Sequence, residues 1–451
     1  MEDYEKLERV FTKIDDLQKT LELLDFDVRL HGSLLDSKVH QIITLKEVIY
    51  DVVTSDEVAL IIDRIKAKSN ELSDWQCVNF GFMQDFCIRK KNIPFDLVKD
   101  FTEKSLACRV SYAEARKARN FEIVKEDFWN LLEVVRTIAA LHAKGTDCDK
   151  YTALLRANQI DPEQLEQLCI GVSPLLKMKV QNVGETLSST STDRKEMRLN
   201  YRRIIEKFFP KNVVRIDFGD HFHLLGEKNG IKLIVQEKGE AVIPSLMFLL
   251  GQGLYMKNLP YDKWRAQPIC NPTSIAMYAA QGFLFSHFLF EEKGFAKVLG
   301  VQEKPIYSGS IMGANKFVAL THLMIRFSLE RSLINGEVSL DGIQELFTED
   351  LSYYFRLNDQ SASILDNHHW FFGEFCYYPS YLKGMIAAGQ IFHMMKSENA
   401  IYQNGKPMIK KLITWLNTNV CANGARYSMD ELINKLTGEN LDCRFFKKFD
   451  Q

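Results

Sequence analysis

The sequence has no surplus of either charge: 451 residues carry 57 Lys plus Arg against 59 Asp plus Glu. A balance that even excludes the basic footprint of a nucleic-acid-binding domain and any strongly acidic tail. Cysteine is present without the spacings that build frameworks. The nine cysteines (Cys77, Cys87, Cys108, Cys148, Cys169, Cys270, Cys376, Cys421 and Cys443) are odd in number, and no two form a CxxC pair. A disulfide scaffold and a zinc ribbon are therefore not expected, and a reducing compartment is. The opening residues, Met1-Glu2-Asp3-Tyr4-Glu5, lack the basic and apolar regions of a secretory signal. The expectation is a cytoplasmic or otherwise intracellular protein. Long apolar runs are also missing. The nearest, AMYAAQGFLFSHFLF at 276–290, is interrupted by Gln281, Ser286 and His287 and falls short of the roughly 18 residues of a spanning helix. It reads as a helix buried on all sides, and no membrane partner is expected. Neither an internal repeat nor a heptad run occurs.

What is there is helical periodicity. Ile42, Ile43, Leu45, Val48, Ile49 and Val52 recur at helical spacing, as do Phe128, Leu131, Leu132, Val135 and Ile138. Pro94, Pro162 and Pro174 mark expected helix boundaries. The polar stretch Gly184 to Asp193 cannot bury much apolar surface and is expected to be a mobile loop. Strand signals gather in one place: Val213–Ile216, Phe222–Leu225 and Ile231–Val235, with Asn229-Gly230 suited to a tight hairpin turn. Lys232 alternates with Ile231 and Leu233, which leaves one face open to exposure. Helices then resume. Pro244 opens one that carries Leu246 to Tyr255. Asn271-Pro272 reads as an N-cap with proline at the first helical position, and Gly294 as that helix's stop. A further helix over about 380–396 carries Gly384, Ala387, Ala388 and Gly389, small enough for close helix contact. The fold class is mainly α with a small sheet.

The C-terminal third supplies a resemblance. Asn367-His-His-Trp-Phe-Phe-Gly-Glu-Phe-Cys-Tyr-Tyr-Pro-Ser-Tyr381, followed by Gly384 and Ala387-Ala388-Gly389-Gln390, resembles the QDxHWxxGxFGYFPxY pattern and AAQ helix of the carboxypeptidase Taq family of zinc metallocarboxypeptidases. Arg326 to Glu330 with Leu333-Ile-Asn-Gly336 is similar to the family's RxELExxLIxG helix. Ala425-Arg426-Tyr427 with Leu436-Thr437-Gly438 is similar to its SRF…ATG segment. Arg215-Ile216-Asp217 with His221 resembles RLDxSxHPF, and Ala113 to Phe121 resembles WxxARxxxDF. The resemblance implies one large helical domain over 1–451, shaped as two walls around a deep channel with the small sheet beside the active site. In that reading 1–183 is the N-terminal wall, 184–195 the mobile polar loop and 196–451 the former catalytic core. A homodimer is the assembly it implies.

The chemistry departs from that pattern. The family carries HExxH on a helix, where two histidines one turn apart bind zinc and the glutamate activates its water. The matching segment reads Phe248-Leu-Leu-Gly-Gln252-Gly-Leu-Tyr255. Gly251, Leu254 and Tyr255 fit the pattern, while Phe248, Leu249 and Gln252 replace its ligands and base. The third ligand, from HESQ, falls on Leu284. Substrate-binding positions have changed as well. The DxRxT strand corresponds to Gly230 and Lys232, the IRxxAD arginine to Ile311 and its aspartate to Asn315. Retained cleft residues are His221, Tyr255, His369, Trp370, Tyr377 and Tyr381. Phenylalanine and leucine cannot ligate a metal or move a proton, so no zinc, no other cofactor and no catalytic residue are expected. The expected function is that of a catalytically inactive metallocarboxypeptidase-like protein acting by peptide or protein binding. The alternative is an enzyme: replaced chemistry in the same cleft, or residual metallocarboxypeptidase activity. Replaced chemistry has two sources here: a metal on His221, His223, His368 and His369, or a Cys376 nucleophile beside His369.

Overall fold

In a computed structural model, residues 2–30, 35–179, 194–219, 222–227, 230–235, 242–301, 315–355 and 363–447 are described. The apolar periodicity of the first half becomes helices Leu35–Thr54 and Lys125–Ala143. Ile42, Ile43 and Ile49 turn inward, as do Phe128, Leu131, Leu132 and Val135, while Val48 is exposed. Four N-terminal helices share a core of their own, in which Tyr4, Leu7, Phe11 and Ile14 of Glu2–Leu30 meet Ile49, Val58, Ile61 and Met83. Pro94 caps Phe95–Ala118 and Pro162 opens Pro162–Lys179 as expected, but Pro174 lies inside the latter helix. Of the polar loop expected at 184–195, positions 184–193 lie outside the described residues, and 194 and 195 belong to the helix Arg194–Phe208.

The sheet has three strands: β1 (Val214–Phe218), β2 (His223–Glu227) and β3 (Gly230–Val235), in the order β1-β3-β2. β3 runs parallel to β1 and antiparallel to β2. Gly230 is the first residue of β3 and pairs with Glu227, so it is not a turn residue; positions 228 and 229 lie outside the described residues. The sheet is covered on both faces. Ile231, Leu233 and Val235 enter the main core. On the other face Ile234 and Leu225 bury Phe26 of the N-terminal helix, and the Lys232 ammonium sits 5.7 Å from that ring.

Beside the sheet runs Val242–Asn258, buried at every position from Pro244 to Tyr255. It has no polar face, which suits an element surrounded by protein. It packs against Ile275–Phe283, and that helix in turn packs along Tyr377–Ser397. The start expected at Asn271-Pro272 is corrected to Ser274, whose Oγ accepts the Met277 N–H at 3.1 Å. Asn271 instead follows the short turn Pro268–Cys270. Nor does Gly294 stop the buried helix. Residues Leu284–Leu289 form a π-helical turn that ends it, and Gly294 caps the next short helix, Phe295–Leu299. Ser286 Oγ bridges the Gly282 carbonyl (3.1 Å) and His287 Nδ1 (2.6 Å) within this turn. Such back-bonding to the preceding turn loosens a helix's regular ladder. Among the described residues, no helix is long and apolar enough to cross a membrane.

Candidate functional site

Phe248, Leu249, Gln252 and Leu284 are all buried, at 6%, 4%, 3% and 0% exposure. Their helices cross at Gly251, where an added Cβ would stand 2.2 Å from the Gln281 carbonyl oxygen; glycine alone permits that approach. Phe248 lies over Gly282, whose missing Cβ would meet its ring at 2.5 Å. The ring packs edge-on against Phe283 at 5.0 Å and lies 6.0 Å from Tyr381. Leu284 begins the π turn and shares the same core. Gln252 contributes the single oxygen- or nitrogen-bearing side chain among these four positions. Zinc requires three or four N, S or carboxylate donors, so these residues do not fit the ion.

Next to this apolar junction lies a partly exposed strip of rings and carboxylates. His369 stacks on Tyr377 at 4.9 Å and meets Tyr381 at 5.6 Å. Its Nδ1 is 2.6 Å from Glu374 Oε2, with the ring nitrogen donating. Burial, then Tyr377, Glu374, Tyr278 and Tyr378, holds the Tyr381 hydroxyl well above its usual pKa. Burial, Tyr377 and Glu22 do the same for Tyr278. Sequence reasoning missed Tyr278 and Glu374, neither of which stands out by spacing.

Behind the strip is a polar hub that sequence reasoning also missed as a unit. The Glu330 carboxylate, fully buried on Lys316–Asn335, accepts bonds from Trp370 Nε1 (2.7 Å), Cys376 N (2.7 Å) and Tyr151 Oη (2.9 Å). Burial pushes its pKa up to about 7 against the pull of those three donors. Trp370 is therefore a core residue tied to Glu330, and Tyr255 is likewise fully buried, its hydroxyl pKa raised by burial. Arg326, one turn before Glu330, donates to the His322 carbonyl at 3.1 Å and lies over Phe347 and Tyr378. Burial, then Arg326, keeps the His322 ring well below its usual pKa.

The remaining sequence-predicted positions separate. Cys376 adopts φ 67°, the left-handed region, at the start of Tyr377–Ser397, where the resemblance has glycine. Burial and Glu330 push its thiol well above the ordinary value, the reverse of an activated nucleophile. His223 faces Phe26, 5.8 Å between rings, while His369 is bonded to Glu374. Among the described residues no group of three or more His, Cys, Asp or Glu is placed to hold a metal. Asn315 is a helix N-cap, its Oδ1 accepting the Phe317 and Val318 N–H groups at 3.0 Å. His221 and Ile311 lie outside the described residues.

Comparison with known proteins gives one consistent family. The carboxypeptidase Taq (M32) metallopeptidase model matches residues 6–304 and 310–450. Carboxypeptidase 1 of Bacillus subtilis is 28% identical over 130 residues, covering 28% of this chain and 26% of that protein. Thermostable carboxypeptidase 1 of Thermus thermophilus is 21% identical over 221 residues, 44% of this chain and 43% of its own. The aligned stretches thus span less than half the length of these curated relatives. The fold likeness is complete: Trypanosoma cruzi metallocarboxypeptidase 1 superposes with a TM-score of 0.86 at 18% identity, covering 100% of this chain and 98% of its own. A Pyrococcus furiosus carboxypeptidase gives 0.87 at 16% identity, with coverage of 100% and 98%.

Proposed function

Because the chain belongs to the carboxypeptidase Taq (M32) metallopeptidase family, we propose that it holds a peptide or protein segment on the His369–Tyr381 face without the family's zinc hydrolysis. The observation that carries this reading is the packing of Phe248. It stands where the resemblance has a zinc-binding histidine, and its ring is closed in by Gly282, Phe283 and Tyr381. Leu249 and Leu284, at the base and third-ligand positions, are as deeply buried. A peptide or protein partner, a homodimeric assembly and an intracellular site go with this proposal. Former zinc positions are Phe248, Leu249, Gln252 and Leu284, and former substrate positions are Gly230, Lys232, Ile311 and Asn315.

A second reading is an active enzyme, favoured by the family match and by relatives that are carboxypeptidases by name. It takes a ligand set drawn from other residues, or a different chemistry in the same cleft. Elemental analysis together with turnover of N-blocked peptides with a free C-terminus separates the two. The first reading expects no stoichiometric zinc after mild chelation and no C-terminal residue released. About one tightly held zinc per chain, or steady release, establishes the second reading in its place.

A further inference from the structure

One carboxylate holds both ends of a loop. Trp370 Nε1 donates to Glu330 Oε2 and the Cys376 N–H to Glu330 Oε1, each at 2.7 Å. The two oxygens of one buried side chain thus fix where the stretch 370–376 begins and ends. Within it, the Gly373 N–H bonds the Trp370 carbonyl at 3.0 Å, and the Glu374 N–H bonds the His369 carbonyl at 2.8 Å. Ser105 Oγ, on the helix Phe95–Ala118, donates to the Phe372 carbonyl at 2.8 Å. Cys376 keeps φ 67°, which a residue with a Cβ adopts at a cost and holds only where its surroundings impose it. The bond from its N–H to Glu330 is that restraint.

The loop carries the side chains on which the peptide reading depends. His369 directly precedes Trp370, Tyr377 directly follows Cys376, and Glu374 lies between them. The His369 and Tyr377 rings stack at 4.9 Å, and His369 Nδ1 meets Glu374 Oε2 at 2.6 Å. Both contacts close across the loop whose ends Glu330 holds. Their spacing is therefore set from behind, by a group that at 0% exposure is out of a ligand's reach. An ionised carboxylate only accepts hydrogen bonds, which suits three converging donors. An amide of the same shape offers one oxygen and sets its own N–H groups against the remaining donor.

We infer that Glu330 is a positioning residue for the His369–Tyr381 face: holding Trp370 and Cys376 on its two oxygens, it sets the arrangement of His369, Glu374 and Tyr377 that a peptide meets. The inference rests on the peptide-binding reading. The probes are four N-acetylated tetrapeptides, Ala-Ala-Ala followed by Ala, Phe, Glu or Lys, titrated calorimetrically into the full chain. The His369 imidazole proton shared with Glu374, followed by NMR on histidine-labelled protein, reports the loop's geometry without a ligand. Glu330→Gln is expected to shift or lose that resonance. It should also weaken the tightest-binding peptide about tenfold, the scale of one hydrogen bond to a charged group. Trp370→Phe, which frees one loop end and leaves the carboxylate in place, should do the same. Tyr151→Phe removes the third donor, which comes from the helix Lys150–Ala157 and is no part of the loop. It should lower the melting temperature yet retain both the resonance and the affinity. An unchanged resonance or affinity in either Glu330→Gln or Trp370→Phe, or an equal loss in Tyr151→Phe, overturns the inference and leaves peptide binding standing. Binding of no peptide by the unaltered protein overturns the peptide reading and this inference with it.

Discussion

Where Val242–Asn258 crosses the helix beginning at Ile275, the contacts are rings, aliphatic side chains and bare backbone. Where Lys316–Asn335 meets the segment 368–376, two hydrogen bonds converge on one carboxylate, joined by a third from Tyr151. Both junctions belong to the same core, and both carry stretches that resemble the family's motifs. The first carries Phe248, Leu249 and Leu284 where the resemblance has polar groups; the second holds Glu330 among three donors. The difference follows from what each polar group would do unassisted. A buried carboxylate with three fitted donors positions its neighbours, and removing it strands them. Histidine and glutamate at the first junction would need a metal to satisfy them, and rings and leucines that fill the same space gain roughly 1.5–3 kcal/mol each when fully buried.

The largest expected effect comes from forcing the first junction to resemble the second. Replacing Phe248, Leu249, Gln252 and Leu284 with His, Glu, His and Glu should destabilise the metal-free protein by more than about 5 kcal/mol, because two carboxylates enter sites without donors. A urea titration with and without zinc checks this; an unchanged midpoint would show that the site remains open and hydrated. Glu330→Ala should cost about 4 kcal/mol, since Tyr151, Trp370 and Cys376 lose their acceptor together. If Glu330→Ala unfolds at the same denaturant concentration as the parent, the hub carries no stability. The smallest effect is the pH dependence of that hub. The Glu330 pKa is raised from 4.5 to about 7 in the fold, so the native state binds more protons than the unfolded chain between those values. Its contribution is complete below about pH 4.5 and is lost as pH rises through about 7, a decline of about 3 kcal/mol. Melts across that window should show the decline in the parent and its absence in Glu330→Gln.

Much of the fold was legible because apolar spacing reports burial directly. The three strand segments, the helix around Leu246 to Tyr255 and the close-packing glycines of 384–389 all emerged that way. Boundaries were harder to read where several residues compete for one role. Asn271-Pro272 has good capping chemistry, but Ser274 three residues later has it too, and packing against Tyr377–Ser397 decides. Pro174 sits within a helix, so proline there does not mark an end. The π turn leaves no periodic trace, since every residue from Leu284 to Leu289 is buried. At the site, Phe248 and Gln252 could be read as poor ligands from chemistry alone. The Glu330 hub could not be assembled, because its donors come from positions 151, 370 and 376 and no local pattern links them.

The N-terminal helix touches both ends of this architecture. Its 29 residues make a rod of roughly 43 Å. One end is clamped in the small core by Tyr4, Leu7, Phe11 and Ile14, and the other is pinned to the sheet by Phe26. A stiff rod fixed at two distant points acts as a beam. Between those ends it is held further, by Gln267 at Glu8 and Thr12 and by Arg109 at Asp25. Swinging this wall outward to admit something bulky therefore means extracting Phe26 from between Leu225 and Ile234, freeing Val28 from Ile42 and Leu106, and parting Asp25 from Arg109. Those fastenings together set how easily the structure yields.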